Sequence, residues 1–82
     1  MHDMKRYKVS AHDNVKIIWN GSATFNVFWD GQNIDVFTVY GTADGDSYRC
    51  TEAEADAAVA SHIADMGGDD YIHYLRESLE RW

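Results

Sequence analysis

The sequence predicts an α+β domain: an antiparallel β-meander of three strands, or four if the basic N-terminal segment joins, followed by two C-terminal α-helices. Three observations carry this reading. The stretch from Ala23 to Tyr40 alternates apolar and polar residues on both sides of Asp30-Gly31, the signature of a β-hairpin. Thr51, with Glu54 three positions later, opens a helical run that closes at Gly67-Gly68. Beyond Asp69-Asp70, Ile72, Leu75, Leu79 and Trp82 recur at helical spacing.

Taken in order, Met1 to Val9 is a basic, weakly alternating lead-in whose Tyr7 and Val9 suit the end of an edge strand. Asn14 to Trp19 is a clearer strand, with Val15, Ile17 and Trp19 on one face. A three-residue loop, Asn20-Gly21-Ser22, keeps those residues facing the apolar side of the next strand. It sets Ile17 opposite Phe25 and Val15 opposite Val27, with Gly21 supplying a positive φ. Across the Asp30-Gly31 turn, a regular ladder sets Val27 opposite Ile34 and Phe25 opposite Val36. The core face then reads Val15, Ile17, Trp19, Ala23, Phe25, Val27, Ile34 and Val36, and the reverse face holds Ile18, Phe28, Phe37 and Val39.

Residues 41–50, rich in turn formers, end the sheet. In the first helix, Ala55, Val59, His62, Ile63 and Met66 form the stripe expected to pack on the sheet. Ala53, Ala57, Ala60 and Ala64 form a nearly opposite stripe that permits close approach of a second helix or another chain. In the second helix, Tyr71 and Ser78 lie beside the apolar stripe, and Glu77 with Arg81 makes an i,i+4 pair on the wet side.

At 82 residues the chain is one domain, residues 1–82, near the lower limit at which a hydrophobic core suffices alone. Its 45% hydrophobic and 13% aromatic content supplies that core and excludes a disordered chain. The single cysteine, Cys50, cannot close an intrachain disulfide, which fits a reducing, cytoplasmic setting. Lys5, Arg6, Lys8 and Lys16 interrupt the first twenty residues, so no secretory leader is expected, and no apolar run is long enough to span a bilayer.

The net charge is −7, and all of that excess lies in residues 43–82, since residues 1–42 balance. An acidic half disfavours direct contact with nucleic acid and favours a basic protein partner. From residue 44 to residue 70 the acids Asp44, Asp46, Glu52, Glu54, Asp56, Asp65, Asp69 and Asp70 stand against Arg49 alone, with Tyr48 and Tyr71 as aromatic anchors. These ten residues are the candidate partner-binding set. Such a surface either solubilises the domain or imitates the charge of nucleic acid and occupies a groove lined with Lys and Arg.

No pattern supports a cofactor, a metal or an enzyme. Counting from Asp44, an EF-hand would need glycine where Arg49 stands and glutamate where Ala55 stands. His2, His12, His62 and His73 have no metal-ligand spacing to one another or to Cys50, and His62 reads as a boundary residue with one satisfied nitrogen. Cys50, before a helix N-terminus where a thiol's pKa can fall, is the one nucleophile worth naming, yet no base is placed beside it.

A short, proline-free, one-cysteine acidic chain with a meander and helices resembles the small inhibitors encoded by phages and mobile elements, including anti-CRISPR proteins and DNA mimics that plug the nucleic-acid channels of host nucleases. The resemblance lies in size, charge and element order. It implies a stoichiometric, non-catalytic inhibitor whose acids face a basic site. The alternative expectation is a structural module that self-associates, as a homodimer for instance, through the apolar reverse face or the alanine stripe.

Overall fold

The computed structural model describes residues 4–9 and 12–80, with the side chains of His12 and Asp13 left out. Four strands, β1 (Lys5–Val9), β2 (His12–Trp19), β3 (Thr24–Trp29) and β4 (Gln32–Thr38), form one antiparallel sheet in the order β1-β2-β3-β4. Two helices follow, α1 (Glu52–Asp65) and α2 (Asp70–Glu80), and both lie on one face of the sheet. Trp82, Arg81 and His2, named above, lie outside the described residues. Among the described residues, no helix is long and apolar enough to cross a membrane.

Within the basic lead-in, Lys5–Val9 form an edge strand, with Tyr7 opposite Ile17 on β2. Asp30 and Gly31 both adopt positive φ, 50° and 81°, the tight turn whose twist matches the strands it joins. Trp29 and Gln32 close it, and Phe28 faces Asn33. There the regular ladder breaks: Val27 pairs with Asp35 and Phe25 with Phe37, so the expected pairings with Ile34 and Val36 are overturned. Ile34 is an extra residue, a β-bulge, and everything after it changes face. Val36, expected in the core, is 53% exposed. Phe37 and Val39, expected on the reverse face, pack against the core instead.

The physical reason is the exchange of a small buried side chain for a large one. Phe37 stacks on Phe25 with ring centroids 5.0 Å apart and on the His62 ring at 3.8 Å. An aromatic ring buries more apolar surface than the Val36 side chain it displaces. Ile34 stays buried because the bulge adds its residue without turning it out.

The β2–β3 pairing is displaced by two residues, with Ile17 opposite Val27 and Val15 opposite Trp29. A two-residue shift preserves the faces, so Val15, Ile17 and Trp19 are buried as expected. The three-residue loop is not formed because Gly21, Ser22 and Ala23 pair sideways with a later segment. Cys50 N donates to Gly21 O, Ala23 N donates to Tyr48 O, and Ser22 bridges Arg49. Gly21, at φ 101°, has the positive φ expected of it, and Trp19 Nε1 donates to Ser22 O at 2.8 Å.

Helix α1 begins as expected. Thr51 Oγ1 accepts from Glu54 N and Glu54 Oε1 accepts from Thr51 N, which completes the capping box. Met66 is its C-cap, and Gly67 and Gly68, both at positive φ, end it. Ala55 and Val59 are buried and His62, Ile63 and Met66 half-buried, so this stripe is the sheet-facing one. Ala53, Ala57, Ala60 and Ala64 are all exposed. In α2 the fully buried residues are Tyr71 and Leu75, with Ile72, Ser78 and Leu79 half-buried, so the packed stripe is centred closer to Tyr71 than expected.

Candidate functional site

After β4 the chain enters a loop, residues 39–51, that leaves the sheet, turns back and delivers Thr51 to α1. Its closure depends on Gly41, whose backbone lies against that of Arg49 so closely that a Cβ would fall on the Arg49 carbonyl. Gly41 N donates to Ser47 O at 2.9 Å and Ala43 N to Arg49 O at 3.1 Å. A single 3-10 turn over Ala43–Gly45 forms the tip, with Gly45 N donating to Thr42 O and Asp46 N to Ala43 O. Asp44 sits there at φ 56°, a left-handed conformation that Asp and Asn tolerate better than other side chains. Asp46 Oδ1 accepts from Tyr48 N at 2.9 Å, and this short local bond fixes the exit.

The loop is tied to the helix as well. Besides capping α1, the Glu54 carboxylate accepts from Thr42 N at 3.1 Å and from Thr42 Oγ1 at 2.8 Å. These hydrogen bonds, the Thr51 backbone bond first among them, hold its pKa below the usual carboxylate value. One carboxylate thus joins the tip of the loop to the start of the helix.

On this braced frame two tyrosines stand almost entirely in water: Tyr40 is 91% exposed and Tyr48 79%. They flank a groove of about 420 Å³ that Thr24, Thr38, Val39 and Ser47 also line. Asp44 and Asp46, both exposed, share the loop with them. Tyr40 was not among the residues singled out in the sequence. Regular alternation along the sequence would turn it toward the core with Val36, and the bulge at Ile34 is what puts it in water.

The ten residues expected to form a single surface fall into distinct groups. Asp44, Asp46 and Tyr48 are together on the loop, and exposed Glu52 begins the helix beyond it. Glu54 is engaged as described. Asp56 is engaged too: its Oδ1 accepts from Lys5 Nζ at 2.8 Å and from Tyr7 OH at 2.6 Å, which ties α1 to β1. Those two bonds lower the Asp56 pKa, and Lys5 also lies 3.6 Å from Glu52. Asp65, Asp69 and Asp70 are exposed at the far end of α1, roughly 20 Å away by the helical rise.

Tyr71 has to be withdrawn as an anchor, because it is fully buried. Its hydroxyl donates to Asp35 Oδ2 at 3.1 Å and lies 3.0 Å from His62 Nε2. With its proton directed to Asp35, the hydroxyl oxygen accepts from His62, so Nε2 carries hydrogen. Burial raises the Tyr71 pKa, with Asp35 adding to the effect. It lowers that of His62 against the opposing charges of Asp35 and Asp65. His62 is thus the half-buried residue with a satisfied nitrogen that its position suggested.

Cys50 is buried, and that burial, followed by the nearby Glu54 charge, raises its pKa instead of lowering it. The helix N-terminus does not activate this thiol. Among the described residues, no three His, Cys, Asp or Glu side chains are disposed to hold a metal ion. No family model matches the chain, and neither a curated protein nor a solved structure matches it.

Proposed function

We propose that the chain is a non-catalytic protein-binding module, a small acidic inhibitor or regulator that engages a basic surface, such as the nucleic-acid groove of a nuclease or effector complex. The observation that supports this reading is the 40–48 loop, where two exposed tyrosines and two exposed aspartates stand on a backbone braced before any partner arrives. Tyrosines supply large apolar area with few torsions to freeze, which is why they anchor interfaces. The aspartates, joined by the exposed acids Glu52, Asp65, Asp69 and Asp70, attract a basic groove over a distance and set the salt dependence of encounter. A loop already fixed loses little conformational entropy on binding.

The test is capture of partners from host lysate on the immobilised protein at low and high salt, repeated with Tyr48→Ala and with the pair Asp44→Asn and Asp46→Asn. The asparagines keep the left-handed turn and the acceptor for Tyr48 N while removing the charge. A basic nucleic-acid-binding protein captured at low salt, weakened at high salt and lost from both variants is the expected result. A partner that the variants capture as well as the parent would overturn the proposal.

A further inference from the structure

The two edges of the sheet differ in chemistry. Val39 N donates to Ala23 O, and regular alternation from that bond turns the backbone N–H and C=O of Val36 and Thr38 away from β3, toward the outside. The same alternation, started from the Asp30 N to Asn14 O bond, turns the backbone of Arg6 and Lys8 outward on β1. β1 therefore carries cations along its rim, a common protection against a further strand. The β4 rim carries Val36, Thr38 and Tyr40, without charge, and Val36 and Tyr40 are exposed apolar side chains.

Beside that rim lies a groove of about 260 Å³, walled on one side by Phe37, Thr38 and Val39. Ala58, Ser61, His62 and Asp65, at helical spacing, line it from α1. An edge strand with outward-facing backbone groups, next to a helix flank and with no further strand beyond it among the described residues, is the arrangement that receives an extended peptide as an added strand. Asp65 contributes the one acidic side chain among the groove-lining residues, in a chain of net charge −7. The geometry points to the β4 edge as a docking site for an extended, cationic segment of a partner protein. That segment pairs with the outward groups of Val36 and Thr38 and turns a Lys or Arg toward Asp65. The inference rests on the basic-partner reading above and adds the conformation in which part of that partner binds.

The probe is a synthetic peptide, Ac-Lys-Val-Lys-Thr-Lys-Val-Lys-amide, with a matched peptide carrying Glu for Lys, and the readout is amide hydrogen exchange by NMR. The lysine peptide at ten times its Kd slows exchange at Val36 and Thr38 about tenfold. The Glu peptide does not, and Asp65→Lys weakens the lysine peptide. Thr38→Pro, which removes an outward N–H, abolishes the protection at Val36, and Val36→Lys, placed on an exposed position, abolishes it at Thr38. No protection at Val36 and Thr38 would overturn the inference. Shifts confined to residues 40–48 would overturn it too, while leaving the proposed function standing. Protection that rises with protein concentration and needs no peptide would also overturn it, because the occupant would then be a second copy of this chain.

Discussion

Glu54 and Asp56 at the start of α1 carry the same charge as Asp44 and Asp46 on the adjoining loop, yet the two pairs do opposite things. The helix acids are turned inward to neighbours: Glu54 binds Thr42 and the Thr51 cap, and Asp56 binds Lys5 and Tyr7. The loop acids leave their charge in water, and Asp46 spends one oxygen on its own turn. An acidic residue's chemistry is therefore set by the hydrogen bonds within reach, and a count of charges along the chain cannot separate supports from surfaces. The loop can present its acids because Glu54, bound to Thr42, holds it still.

The contrast can be broken at its hinge, where the effect is largest. Gly41→Ala puts a methyl group on the Arg49 carbonyl, so residues 41–49 cannot close, and both the loop bonds and those from Thr42 to Glu54 are lost together. A thermal melt is expected to show the lowest midpoint of the variants named here, with fast amide exchange at Ala43, Asp46 and Arg49. An unchanged melt would mean that the loop is not closed by this contact.

A smaller effect follows from acid. The Glu54 pKa is held below its usual value near 4.5, so its contribution is fully present above that value and is lost as pH falls through the lower, folded-state one. Stability measured by urea denaturation should therefore decline below about pH 4.5, and Glu54→Gln should flatten that decline. A parallel pH dependence in both proteins would assign the decline elsewhere. Smallest of all is the change expected from Asp44→Asn with Asp46→Asn, about 0.5 kcal/mol or less in the same assay, since both side chains are exposed and asparagine keeps the acceptor that Asp46 offers to Tyr48 N. A large loss there would show that the loop acids are supports after all.

Much of this architecture was legible in the sequence where its cause is local. The capping box needs only Thr51 and Glu54, the helix stop only Gly67 and Gly68, and the tight turn only Asp30 and Gly31. What was not legible depends on partners far along the chain. The bulge at Ile34 is favoured by Phe37 meeting His62 and by Asp35 meeting Tyr71, 36 residues away. The β2–β3 register depends on Gly21 and Ala23 finding Cys50 and Tyr48. Of the candidate site, the acids were visible as a set, but the burial of Tyr71 and the exposure of Tyr40 became evident only once the strand had changed face.

Cys50 closes the sheet-side pairing at Gly21 and lies one residue before the cap of α1, with its sulfur shut away from water. As the chain's single cysteine, it makes the molecule its own gauge of breathing. A thiol reagent can label this protein only when the joint between sheet, loop and helix swings open. The labelling rate, divided by that of an unfolded reference, therefore reports how often the joint parts, with no probe or substitution added.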